Sequence, residues 1–222
     1  MSCSIIIPTF NRKKFERLIE FNITNQTYTN IIEVIIADDG EDSEALKLSI
    51  PYQIKYIKCP RMTIGNKRNI LVENARGEYI AHFDTDDVYF PTYIEHSIDL
   101  MVNKKKNAVG TSDMYFLFKD GHTGAMRNPL LSMANEATLV YKKSFWEKGK
   151  FSSNNTSEGI QFLSGRHWEV AHSNITKVML CLCHEENTVN KEIWRKPNSI
   201  KVPSLSAYHQ ILKDLGYNYE MR

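Results

Sequence analysis

The strongest constraint on the fold is an alternation in the first half of the chain. Short β-branched runs, each ending in a polar cluster, are separated by helix-like segments. Residues 4–7 read as a buried strand closed by Pro8, and a helix is expected over about 13–25. Residues 32–37 predict a second strand ending at Asp38-Asp39-Gly40, 54–58 a third, and 65–74 a helix. Residues 79–83 predict a fourth strand ending at Asp84, and 92–103 the next helix. Strands alternating with helices build βαβ units, hence a mostly parallel sheet covered on both faces. In open α/β sheets, ligands bind outside the carboxyl ends of the strands. Pro8-Thr9-Phe10-Asn11, Asp38-Asp39 and Asp84-Thr85-Asp86-Asp87 all fall there, so three polar clusters should converge on one edge.

The second half is less regular. Residues 114–119 and 138–141 read as strands, 143–148 as a helix, and 178–183 as a strand leading to His184. Residues 120–135, with Gly121, Gly124 and Pro129, predict a long loop, and 152–157 a polar approach to Glu158. No repeat, low-complexity tract or linker divides the chain. A single domain over residues 1–222 is expected, with halves of about 1–110 and 111–222.

Composition narrows the function classes. At 42% hydrophobic residues the chain can bury a core without disulfide or metal staples. A net charge of +2 gives no strong pull toward nucleic acid or an acidic membrane. Cys3, Cys59, Cys181 and Cys183 match neither a zinc pattern nor a disulfide framework and read as free thiols in a reducing compartment. No signal-peptide pattern opens the sequence, since Ile5-Ile6-Ile7 stops at Pro8. No apolar run approaches the roughly 20 residues of a transmembrane span. A cytoplasmic protein is expected, one that would visit a lipid acceptor from outside the membrane.

Asp84-Thr85-Asp86-Asp87 places three carboxylates within four residues. Anions this close repel, so a cation should offset them, and hard oxygen ligands suit Mg2+ or Mn2+. A plain alternative is a turn whose aspartates cap the next helix. Another is the phosphatase signature of the haloacid dehalogenase family. That signature usually opens its domain and needs a second acidic pair downstream, whereas here the later Asp99, Asp113, Asp120 and Asp214 are isolated.

Four segments together resemble glycosyltransferase family 2, the inverting enzymes with the GT-A fold. They are the strand and loop Ser4-Ile5-Ile6-Ile7-Pro8-Thr9-Phe10-Asn11-Arg12, and Glu33-Val34-Ile35-Ile36-Ala37-Asp38-Asp39-Gly40. The others are Gly65-Asn66-Lys67-Arg68-Asn69 with Ala75-Arg76-Gly77-Glu78-Tyr79-Ile80, and the Asp-x-Asp element Phe83-Asp84-Thr85-Asp86-Asp87. The resemblance implies a GT-A, Rossmann-like sheet and a nucleotide-sugar donor, with a UDP-sugar favoured. It assigns donor-nucleotide binding to Pro8, Thr9, Asn11, Arg12, Asp39, Arg68 and Asp84, with Asp39 on the base. The metal, Mn2+ or Mg2+, falls to Asp86 with Asp84 and His184, the last in His184-Glu185-Glu186-Asn187-Thr188. The alternative for Arg68 is a surface helix residue paired with Glu73 or Glu78.

On the acceptor side, Thr138-Leu139-Val140-Tyr141-Lys142-Lys143 and Gly149-Lys150-Phe151 resemble the segment before the family's Glu-Asp pair. This chain has Ser157-Glu158-Gly159 at that place, so the glutamate is present and the aspartate is not. Glu158 is the expected catalytic base, with Asp113 in reserve. The function implied is inverting transfer of the sugar to a saccharide, lipid-linked or protein-linked acceptor. A non-catalytic nucleotide-sugar-binding module is the alternative from another class.

Overall fold

In the computed structural model, which describes residues 1–127, 134–195 and 200–219, the isoleucine-rich run forms β1 (Cys3–Thr9), buried at every position. A strand buried on both faces belongs inside a parallel sheet. β1 lies between β2 (Ile31–Asp38) and β4 (Tyr79–His82), parallel to both, and β2 pairs in parallel with β3 (Gln53–Lys58). Beyond β4 come β9 (Val140–Lys142), β6 (Ala108–Gly110) and β10 (Val170–His172), giving a seven-stranded order β10-β6-β9-β4-β1-β2-β3. β9 runs against both its neighbours. The sheet is therefore mostly parallel, as the alternation required.

Successive side chains of β1 point to opposite faces, and two cores follow from that period. Ile5 and Ile7 share one with Leu18 and Ile23 of α1 (Glu16–Thr24) and Ile94 and Ile98 of α3 (Tyr93–Lys104). Ile6 joins the other, with Leu71 and Val72 of α2 (Ile64–Glu73), Phe145 of α4 (Lys143–Glu147) and Phe162 of α5 (Glu158–Leu163). Thr63 caps α2, its hydroxyl accepting from Asn66 N–H at 3.4 Å. One residue into that helix, a Cβ on Gly65 would lie 1.8 Å from the Ser152 carbonyl oxygen. Glycine there lets the chain before α5 lie directly on the start of α2.

A second sheet has the order β5-β11-β7-β8, from β5 (Asp87–Tyr89), β11 (Met179–Leu182), β7 (Met114–Leu117) and β8 (Thr123–Met126). The chain leaves the first sheet at the end of β4 and enters the second at β5, so residues 83–86 bridge the two. Asn22 of α1 fixes that crossing: its Nδ2 donates to the Asp87 carbonyl (2.8 Å) and its Oδ1 accepts from Tyr89 N–H (3.0 Å). Backbone groups at a sheet edge need such partners.

Three expectations are corrected. The 120–135 stretch read as a loop contains β8, and residues 128–133 of it lie outside the described residues. The helix expected from Lys13 starts as a 3-10 turn (Lys13–Phe15) and becomes α-helical at Glu16. β5, β6 and β10 were not foreseen. The four cysteines are free, with Cys59 half-buried and the others buried. Among the described residues no helix is long and apolar enough to cross a membrane.

Candidate active site

The carboxyl ends of β1 and β4 and the start of α2 surround a cavity of about 350 Å³. Its wall includes Pro8, Thr9, Arg12, Arg61, Lys67, Asp84 and Asp86. Thr9 Oγ1 is buried without a hydrogen-bond partner among the described residues. A larger cavity of about 690 Å³ adjoins it, with His184, Asn187 and Lys191 in its wall and Thr188 common to both.

Asp39 sits beneath the first cavity, its side chain fully buried. Oδ1 accepts from Lys67 Nζ (2.6 Å), Oδ2 from Met62 N–H (3.0 Å), and the Arg61 guanidinium approaches both oxygens at 3.2 Å. Burial pushes its pKa up, but the bonds from Lys67 and Met62 and the two cations outweigh burial and hold it below the ordinary value. Lys67, itself buried, also donates to the Thr9 carbonyl at 3.0 Å and so ties β1 to β2. The residue expected to read the base thus holds a lysine. Its removable partner is Arg61, 64% exposed and lying over the Phe10 ring at 3.6 Å. Asn11 does not line the cavity: in the left-handed region (φ 51°), it accepts from Glu41 N–H at 2.8 Å and shapes the loop.

Arg68 is 1% exposed, which removes the surface-helix alternative. Its Nε donates to Glu158 Oε1 (2.9 Å), its Nη2 to Asp84 (3.1 and 3.4 Å), and its Nη1 faces His82 Nδ1 at 2.9 Å. Arginine can only donate, so His82 Nδ1 accepts and the ring proton sits on Nε2, 2.9 Å from the Tyr141 hydroxyl. Burial, with Arg68 beside it, holds His82 well below its usual pKa, so the ring is neutral. Burial also works against the Arg68 charge, but Asp84 and Glu158 outweigh it and raise the arginine's pKa. One guanidinium therefore joins the donor-side Asp84 to Glu158. The expected base is 3% exposed and tied to this arginine. No hydrogen bond or ion pair among the described residues links Asp113 to the group; its N–H donates to Thr111 Oγ1 at 3.0 Å.

The acidic cluster is balanced mostly by the protein itself. Burial raises Asp84, opposed by Arg68. Asp86 is 3.0 Å from His184 Nε2 and 3.7 Å from Arg12 Nε, and these outweigh burial to lower its pKa. Arg12 is anchored in turn by Glu186 at 2.6 Å. Asp87 faces away, its Oδ1 accepting from Leu182 N–H at 3.1 Å. Burial and the neighbouring Asp86 and Asp84 push its pKa well above the ordinary value.

Among the described residues, no group of three His, Cys, Asp or Glu side chains converges as a metal site. Asp86 and Asp84 are hard oxygen donors of the kind that Mg2+ or Mn2+ takes. His184 stands beside Asp86. Glu186 N–H approaches its Nδ1 at 3.3 Å, and its Nε2 lies between Asp86 Oδ2 (3.0 Å) and Asn187 Nδ2 (3.1 Å), so the ring packs against that carboxylate.

Lys67, Arg61 and Glu136 were not expected at the site from the sequence. A signal for the first existed: Lys67 and Arg68 stand four residues before Leu71 and Val72 on the buried face of α2. Charged residues on an apolar helix face require partners. Glu136 lies beside Gly159, whose N–H donates to its Oε1 at 2.8 Å. Nothing in local sequence joins those two positions.

The model of the family described as Glycosyl transferase family 2 matches residues 4–162. An uncharacterized glycosyltransferase of Rickettsia prowazekii is 36% identical over 106 residues, covering 47% of this chain and 33% of that protein. Chondroitin synthase of Escherichia coli is 33% identical over 102 residues, 43% of this chain and 15% of that protein. The chain thus spans a third or less of the length of these relatives. The fold is similar to that of S. aureus TarS in crystal structures with UDP (TM-score 0.62, 15% identity, 82% of this chain and 61% of that one). The complex of TarS with UDP-GlcNAc gives a TM-score of 0.61 at 14% identity, covering 99% of this chain and 68% of that one. With well over half of its length matched by the family model, the chain belongs to glycosyltransferase family 2.

Proposed function

We propose that the chain transfers a sugar from a UDP-sugar to a hydroxyl acceptor, with inversion at the anomeric carbon and a divalent cation at the diphosphate. The observation that carries this reading is the wall of the 350 Å³ cavity, where Arg12, Arg61 and Lys67 face Asp84 and Asp86. Cations suit a diphosphate, and the carboxylates suit a metal bridging to it. The adjoining cavity is larger, but it lies beyond β7 and β11 of the second sheet, and neither Asp84 nor Asp86 is in its wall. UDP and UDP-GlcNAc bound to S. aureus TarS favour a uridine nucleotide. A uracil N–H would meet Asp39 once Arg61 leaves its carboxylate.

Asp86, with Asp84, would hold Mn2+ or Mg2+, a group that stabilises charge on a departing diphosphate. Arg68 keeps Asp84 in place from behind. As the acceptor oxygen bonds to the anomeric carbon, the bond from that carbon to the diphosphate breaks and its electron pair leaves with UDP. The hydroxyl proton passes to a carboxylate on the acceptor side. The acceptor is a saccharide, free or linked to lipid or protein. The free thiols fit a reducing compartment, hence the cytoplasm.

The test is UDP release from UDP-GlcNAc, UDP-glucose and UDP-galactose in the presence of an oligosaccharide pool, with the product anomer read by NMR. Acceptor-dependent release with inversion is expected. Retention of configuration, or donor binding with no release under any condition, would contradict the reading.

A further inference from the structure

Glu158 is poorly placed to take a proton from an acceptor, because it is buried and its Oε1 receives Arg68 Nε at 2.9 Å. A second carboxylate stands beside it. Glu136 opens a 3-10 turn, Glu136–Thr138, and is half-buried. Its Oε1 accepts from Gly159 N–H at 2.8 Å. A Cβ built on Gly159 would fall 2.6 Å from Glu136 Cγ and 2.7 Å from its Oε1. The glutamate therefore occupies the volume that any side chain at 159 would fill.

The turn is pinned toward the donor side. The Tyr89 hydroxyl accepts from Asp84 N–H (2.8 Å) and donates to the Ala137 carbonyl (3.0 Å). Tyr93 donates to the Leu139 carbonyl at 3.0 Å. Burial and the neighbouring Glu158 raise the proton affinity of Glu136, with Arg68 opposing them. A general base works best with its affinity moved toward the working pH.

We propose that Glu136 is the general base of the transfer, its carboxylate admitted by the missing side chain at Gly159, while Glu158 positions Arg68. This rests on the transferase reading above. In the step, the acceptor O–H proton goes to Glu136 as the oxygen bonds to the anomeric carbon and UDP departs with the electron pair of the broken bond.

The experiment measures UDP release from UDP-GlcNAc, UDP-glucose and UDP-galactose, with water and with an oligosaccharide pool as acceptors. UDP affinity and melting temperature are followed in parallel. Glu136→Gln should lower turnover about 10²–10⁴-fold, the usual worth of a general base, with UDP affinity unchanged. Gly159→Ala keeps the glutamate but displaces it, and should lower turnover in the same direction. Glu136→Ala with Gly159→Asp returns a carboxylate to the same volume from the other chain segment, and should recover at least tenfold over Glu136→Ala alone. A merely structural role for Glu136 would not be rescued in this way. Near-parental turnover in Glu136→Gln overturns the proposal, as does a Glu136→Ala loss that Gly159→Asp fails to restore. A parent chain that binds UDP-sugar yet neither hydrolyses nor transfers it also overturns the base. A parent that binds no UDP-sugar overturns instead the donor reading beneath it.

Discussion

At the scale of single residues, Arg68 carries the most, because three side chains depend on its one guanidinium. Truncating one partner of a buried ion pair leaves uncompensated charge, at about 3–5 kcal/mol. Arg68→Ala should lower unfolding stability by that order in urea titration, since Glu158 and Asp84 both lose their countercharge. Arg68→Lys keeps the charge but cannot serve Glu158, His82 and Asp84 from separate nitrogens, so it should fall between the two. A variant as stable as the parent would show that the network contributes little to folding. Arg68 and Asp84 stood out in the sequence by their place in a motif. That Arg68 binds its own chain before any ligand was not, because residue type does not say which partner folding delivers. Glu136 was illegible for the same reason: its neighbour Gly159 lies 23 positions away.

At the scale of elements, long apolar strands were legible and short ones were not. β1 and β2 are near-continuous isoleucine and valine runs, which sequence shows directly. β5 is only Asp-Val-Tyr, too short to show a period, and β8 reads Thr-Gly-Ala-Met, without strand propensity; the second sheet supplies both. Glu33 shows how one polar residue ties such elements. Buried in β2, it accepts from Ser4 Oγ (2.7 Å) in β1 and from Arg76 N–H (2.6 Å) and Nε (2.9 Å) before β4. Burial would raise its pKa, but these bonds prevail and lower it. Because the folded value lies below that of the unfolded chain, about 4.3, the stabilisation is complete above pH 4.3. It is lost as pH falls through the folded value. Glu33→Gln should therefore destabilise at pH 7 by about 1–3 kcal/mol, the range for an impaired buried hydrogen bond. The gap to the parent should narrow in acid. A gap unchanged from pH 7 down to the acid unfolding limit would mean that Glu33 acts by packing alone.

At the scale of the whole molecule, the site exists because two sheets meet at residues 83–86. The parallel sheet brings the ends of β1, β2 and β4 together, and the second sheet draws Asp87 and His184 across, leaving Asp84 and Asp86 at the junction. Alternation of strand and helix announced the first sheet, while the second came only with tertiary pairing. A junction that binds a uridine diphosphate through a metal, as proposed above, should discriminate between bases and lose affinity without the cation. Isothermal titration of the chain with UDP, ADP and GDP, each with Mn2+ and with chelator, tests it most directly. UDP should bind more tightly than ADP or GDP, its affinity should fall at least tenfold with chelator, and Asp86→Asn should erase that metal dependence while the chain stays folded. Equal affinity for the three nucleotides, or UDP binding unchanged by chelator, would contradict the account.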